Sequence, residues 1–267
     1  MLFLLLAGLA GGFISGLLGI GGGVIYVFVL KLTAPYFEVA SDLGQYVVAN
    51  SLFIIFISTL SSVIKLLKNN TFYIKPVFQL SLMSIPTSLV FTLFIVDNKI
   101  FTESLFNFIC IITLFIVLVK YLLVYKLKDE KEQIQNRNVF QKNFFLSGIA
   151  AGAMCALTGL GGGTILNPIL NLYFKLDVKT TKSISLGVIM FSTLFISILN
   201  LFLNPIHLKT QFSLGYLNFT HTLPIIIGTM CSTFHGINYS IRLSEKKSLK
   251  IFILCIFFFL IKYIFYN

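Results

Sequence analysis

Gly12-Phe-Ile-Ser15-Gly-Leu-Leu-Gly19-Ile-Gly21-Gly22-Gly23-Val-Ile25 returns 140 residues later as Gly152-Ala-Met-Cys155-Ala-Leu-Thr158-Gly159-Leu-Gly161-Gly162-Gly163-Thr-Ile165. No gap separates the copies, and Gly8 and Gly148 hold the same register upstream. Each copy sets G-x-G-G-G within an apolar run of 31 residues, 2–32 and 144–174. A glycine costs a helix about 1 kcal/mol relative to alanine, so this density of glycine marks a break. In hydrocarbon, backbone freed by a break is tolerated only where it is buried in protein or lines a cavity. The doubled break is therefore the candidate functional centre.

The rest of the chain supplies the membrane setting. Hydrophobic residues make up 57% and charged residues 11%, with a mean hydropathy of +0.94, whereas a soluble domain carries about 25% charge. The apolar segments are 2–32, 46–66, 76–96, 104–125, 144–174, 184–204, 215–238 and 249–266, most of them long enough to cross a ~30 Å hydrocarbon core. The expected fold class is an all-α, multi-pass cell-membrane protein. Two transmembrane repeats, 1–125 and 144–267, flank a polar linker at 126–143. Ala49-Asn50-Ser51-Leu52 is set against Thr181-Lys182-Ser183-Ile184 if the intervening loop differs by eight residues. Asn70-Thr-Phe-Tyr-Ile-Lys-Pro76 parallels Gly215-Tyr-Leu-Asn-Phe-Thr-His221.

Charge decides the topology. If each glycine-broken segment enters and returns on one side, each half crosses three times and the halves are inverted. Sixteen Lys and Arg residues then share the side of the linker, and four (Lys31, Lys99, Lys209, Lys262) lie opposite. That is a positive-inside pattern with a cytoplasmic linker. Eight full crossings would leave no bias. The length agrees: a 31-residue helix would be ~46 Å long, too long for one upright span and too short for two. Inverted repeats with discontinuous helices meeting near the midplane are the architecture of secondary transporters. The net charge of +11 is thus read as topology, with no nucleic-acid partner.

A helix restarting at Val24 or Thr164 exposes unpaired N–H groups and a positive dipole end. Glycines before it let an anion approach the backbone. The candidate substrate-binding residues are Gly19, Gly21, Gly22 and Gly23 with Gly159, Gly161, Gly162 and Gly163. Nearby hydroxyls, Ser15, Thr158 and Thr164, add donors, and Asn167, Asn50, Ser51 and Ser183 are candidates to line the same cavity. Gly8, Gly12, Gly148 and Gly152 read as small residues for close helix packing. Lys182 reads as an inner-loop lysine reaching for the interface.

All nine acidic residues fall in loops or at span ends, which disfavours a cation or proton pathway. The four cysteines are scattered through apolar segments without a C-x-x-C, and read as small buried hydrophobes. No metal or cofactor is expected. Ser15 has the wrong spacing for a nucleophile motif and faces Cys155 in the repeat, so no enzyme is expected. Met1-Leu-Phe-Leu-Leu-Leu runs straight into the repeat and reads as part of the mature chain.

The doubled G-x-x-S/C-G/A-x-x-G-x-G-G-G, with Thr181-Lys-Ser183-Ile, Gly215-Tyr-Leu-Asn218 and Arg242-Leu-Ser244, resembles the sulfite exporter TauE/SafE family of membrane permeases. That resemblance implies movement of a small sulfur-containing anion, such as sulfite or an organosulfonate, across the bilayer. The sequence departs from the family pattern at Asn50 and Lys182, where Thr is expected. The alternatives are an anion channel on the same site and a membrane scaffold that transports nothing.

Overall fold

The computed structural model describes residues 1–33, 43–97, 102–127, 142–203 and 212–266. Most of the expected linker, residues 128–141, lies outside the described residues, as do Lys99 and Lys209. The helices are α1 (Leu2–Leu18), α2 (Gly23–Thr33), α3 (Leu43–Lys68), α4 (Ile74–Asp97), α5 (Glu103–Leu127), α6 (Lys142–Thr158), α7 (Gly163–Leu172), α8 (Val178–Phe202), α9 (Phe219–Arg242) and α10 (Glu245–Tyr266). A short antiparallel hairpin, β1 (Ser213–Leu214) and β2 (Leu217–Asn218), precedes α9.

Local chemistry explains the boundaries. Asp177 caps α8 by accepting from the Thr180 N–H at 3.0 Å, so that helix starts six residues before its apolar run. Asn218 caps α9 through the Thr220 N–H at 2.9 Å. Among the described residues, α3, α4, α5 and α8 are long and apolar enough to cross a membrane. The Gly, Thr and Ser residues on the buried face of α9 dilute its hydropathy.

Both breaks fall at the expected glycines, and both chains fold back there. A Cβ placed at Gly22 would lie 2.7 Å from the Gly11 carbonyl oxygen. At the matching place, a Cβ on Gly162 would lie 2.5 Å from the Ala151 carbonyl oxygen. The Tyr26 ring fills the space above Gly11, and its hydroxyl reaches Thr229 Oγ1 at 3.1 Å. α2 therefore doubles back along α1 instead of continuing it.

Each hairpin packs chiefly against a long helix of the other half. Along α1, Gly8 sits on Ile225, Gly12 on Thr229 and Gly16 on Thr233 of α9, so the two helices run in the same chain direction. Gly148 on Leu80 and Gly152 on Ser84 give α6 and α4 the same arrangement. The small-residue stripe works as expected, letting backbones approach where lipid offers no hydrophobic drive. These contacts match Ile74 with Phe219, the pairing read from Asn70–Pro76 and Gly215–His221.

The other internal alignment needs correction. Ser51 of α3 matches Ser185 of α8, not Ser183: Ser51 bonds the Gly159 carbonyl and Ser185 the Gly19 carbonyl. The loop differs by six residues (a spacing of 134 against 140), not eight. The physical reason is helical phase. A shift of two residues turns a side chain by ~200°, and Ser183 instead faces the Thr71 carbonyl at 2.8 Å.

Several connections share one end of the molecule. Lys182 reaches Ser240 and Ser248, Ser183 reaches Thr71, and Thr180 reaches Tyr73. The α3–α4, α7–α8 and α9–α10 turns are thereby gathered together. Gln45 with Ile95, and Tyr46 with His221, gather elements at the opposite end.

Candidate functional site

The two breaks meet tip to tip, and residues 19–23 and 159–163 are all buried. Gly19 ends α1 in the left-handed region (φ 72°), its N–H bonded to the Ser15 carbonyl at 2.8 Å. Gly159 repeats this at φ 64°, bonded to Cys155 at 3.1 Å. Two residues on, Gly21 and Gly161 sit at φ 84° and 83°, a conformation that side chains oppose. Across the junction, a Cβ on Gly161 would lie 3.2 Å from the Ile20 carbonyl, and one on Gly163 would lie 3.2 Å from that of Gly19. Gly23 abuts the Leu160 carbonyl.

Each half secures the other's break. Ser51 donates to the Gly159 carbonyl at 2.9 Å and Ser185 to the Gly19 carbonyl at 2.7 Å. Asn167 Nδ2 lies 3.3 and 3.2 Å from the Leu18 and Gly19 carbonyls. The exposed C-terminal carbonyls of α1 are thus satisfied by side chains of α7 and α8. Among the described residues, no hydrogen bond to a backbone or side-chain oxygen is found for the N–H groups of Gly21, Gly22, Gly23, Gly161 and Gly163, whereas that of Gly162 points at the Cys155 sulfur. Donors without acceptors at a helix start are the chemistry an anion needs.

The expected residues separate into two groups. The eight glycines come together with Ser51, Thr158, Thr164 and Asn167. Thr158 and Thr164 donate to their own segments, at Met154 (2.6 Å) and Gly161 (3.1 Å). Ser15 lies one turn below and accepts from Ser58 at 2.7 Å. Asn50 and Ser183 sit elsewhere. Asn50 donates to the Tyr216 carbonyl at 2.9 Å and accepts from the Asn218 N–H at 2.8 Å, fastening the β-hairpin to α3.

Two further residues belong here. Ser185 was legible in Ser51-Leu52-x5-Ser58-Thr59 and Ser185-Leu186-x5-Ser192-Thr193, a gapless match between the halves. Lys182 packs its aliphatic stem on Gly19 and is only 8% exposed. No sequence signal separates it from an interfacial lysine; its burial comes from α9 and α10.

A cavity of about 380 Å³ opens among the turns gathered at one end. Its wall includes Thr71, Tyr73 and Lys179 towards the rim, and Lys182, Ser240 and Gly16 further in. It therefore reaches the flank of the first break. Several positions of the other half that correspond to this wall are closed. Val48, Leu52, Thr92, Ile95, Ala156, Tyr216 and Asn218 are all buried, none more than 4% exposed. The cavity thus opens at one end of the molecule, while these seven positions of the other half are packed.

Paired fold-back helices at the centre of a long-helix bundle, with a cavity reaching them from one end, define a multi-pass membrane protein of the transporter type. The family model for sulfite exporter TauE/SafE matches residues 4–263. A probable membrane transporter protein of Methanocaldococcus jannaschii is 28% identical over 246 residues, covering 91% of this chain and 87% of that protein. No solved structure matches significantly. The chain belongs to the TauE/SafE family of membrane transporters.

Proposed function

We propose that the protein moves a small anion, sulfur-containing as the family name indicates, by alternating access around the paired glycine breaks. The observation that carries this reading is the five glycine N–H groups, of Gly21, Gly22, Gly23, Gly161 and Gly163, that lack an acceptor among the described residues at the junction of two fold-back helices, beside a cavity open at one end. The two halves, 1–125 and 144–267, are taken as inverted repeats. The turns sharing the open end carry Lys65, Lys68, Lys75, Lys175, Lys179, Lys182, Arg242, Lys246, Lys247 and Lys250. Positive-inside bias makes that end, with the linker, cytoplasmic, and the conformation inward-open. Exchange of the open and shut ends, related by the repeat symmetry, would carry the anion across. An inside-negative potential assists export of a monoanion by about 2.3 kcal/mol per 100 mV. The substrate passes unchanged, with no catalytic group.

Flux in proteoliposomes tests this reading. Saturable sulfite or ethanesulfonate uptake with trans-stimulated counterflow is expected. Large unitary currents would favour an anion channel, and no flux of any tested anion would leave a scaffold.

A further inference from the structure

We propose that the open cavity selects anions by their organic part, favouring one with a short hydrocarbon tail over an inorganic oxyanion. The proposal rests on the transport reading and names the substrate class of that site. Two helix faces build most of the wall. On α9, Ile237, Ser240 and Ile241 follow at spacings of three and four, and on α8 Lys179, Lys182 and Leu186 do the same. That spacing sets side chains on one face of a helix. Leu66, from the last turn of α3, adds a further apolar side chain.

Polarity is graded along this wall. α8 starts and α9 ends at the open end, so depth increases from Lys179 to Leu186 and from Ile241 to Ile237. Thr71, Tyr73 and Lys179 are exposed at the mouth, and Thr180 Oγ1 lies 3.5 Å from the Tyr73 hydroxyl. Of two hydroxyls joined by one hydrogen bond, one proton remains to meet a ligand oxygen. At the inner end, Leu186 is 2% and Ile237 3% exposed, and both line the cavity beside Gly16. A Cβ on Gly16 would lie 3.2 Å from Ile237 Cγ1, so hydrocarbon closes the floor against α1.

Charge does not do the sorting here. Lys179 and Lys182 attract all anions of one charge alike, and Asp177 stands on the same wall, its carboxylate accepting from the Thr180 N–H. Size and hydrocarbon remain. The volume of about 380 Å³ falls within the range of small-molecule sites and equals about a dozen waters at ~30 Å³ each. Sulfite, one sulfur and three oxygens, would leave most of that space to water lying against leucine and isoleucine. A tail of a few carbons displaces this water, and each methylene so buried is worth up to about fourfold in affinity. The oxygens of the head group meanwhile keep the hydroxyls of the mouth.

Isothermal titration of detergent-purified protein with sulfite and with methane-, ethane-, propane- and butanesulfonate tests the assignment. Protein-free micelles serve as the blank, and flux in proteoliposomes is measured alongside. Affinity is expected to rise about two- to fourfold per added carbon, with sulfite weakest. Ile237→Thr keeps the branched shape of the floor, and Ile241→Ser alters a residue that is 47% exposed and tolerant of change. Each should weaken butanesulfonate several-fold and leave methanesulfonate within about twofold. If Ile237→Thr does not fold, Ile241→Ser carries the test. Affinity independent of tail length, or a dependence that the variants retain, overturns the inference, while saturable flux leaves the transport reading intact. A dependence on tail length that the variants lose, without flux of any of these anions, supports the inference and overturns transport. A phospholipid retained through detergent exchange, seen by native mass spectrometry and displaced by none of the five anions, makes this a lipid site and overturns the inference. A wild type that binds none of the five overturns it as well.

Discussion

Gly19 and Gly159 occupy equivalent places, yet their carbonyls are not equally supported. The Gly19 oxygen accepts from Ser185 and from Asn167, whereas among the described residues the Gly159 oxygen accepts from Ser51. A buried carbonyl left without its partner costs about 1–3 kcal/mol. Ser51→Ala should therefore lower the thermal unfolding midpoint in detergent more than Ser185→Ala does, because Asn167 remains to cover the loss. Equal midpoints would show that the two clamps are energetically interchangeable. Gly21→Ala and Gly161→Ala force a side chain into the left-handed region, for about 1–2 kcal/mol each. The nearest atom to a Cβ at Gly21 is Cγ2 of the fully buried Ile55 at 2.9 Å, so a packing clash should add to the backbone strain there. The same midpoint measurement reads it.

At the scale of elements, the interfaces α1 with α9 and α6 with α4 depend on residues that have no side chain to spare. A leucine at Gly12 or Gly152 would drive into the backbone of Thr229 or Ser84, and overpacking of this kind has no relaxed alternative. Gly12→Leu and Gly152→Leu should each lose the monodisperse peak on size-exclusion chromatography. Ile149→Leu, on the 39% exposed face of α6, should retain it. Much of this was legible in the sequence. Apolar length gave the long helices, glycine density gave both breaks to within a residue, and the repeat brought the two breaks together. What escaped was phase and tertiary burial. Ser183 and Ser185 both offer a serine to match Ser51, and only helical phase in the folded chain separates them. Asn50 has the chemistry of a pocket residue, but its amide is fully used by Tyr46, Tyr216 and Asn218. Lys182 looked like any lysine near a loop, since nothing local records that α9 and α10 close over it.

For the whole molecule, the end opposite the cavity is held by identifiable contacts: Asn50 to the β-hairpin, Tyr46 to His221, and Gln45 Nε2 to the Ile95 carbonyl at 2.8 Å. Asn50→Ala removes both hydrogen bonds to the hairpin at once and should loosen that end. In a background lacking Cys110, Cys155, Cys231 and Cys255, a cysteine at Thr92 should then react with an impermeant maleimide faster than without Asn50→Ala. A cysteine at Lys179 should label from the opposite side whether or not Asn50 is present. Labelling of both positions from one face would refute the inverted arrangement. The exchange of partners between halves also has a consequence in time. The Gly8–Gly16 stripe of α1 waits for Ile225–Thr233, more than 200 residues downstream. At a synthesis rate of about 5–20 residues per second, α1 remains unmated for about 10–40 s after it leaves the ribosome. The first half is thus an obligate intermediate whose glycine stripe must be sheltered until the last third of the chain is made.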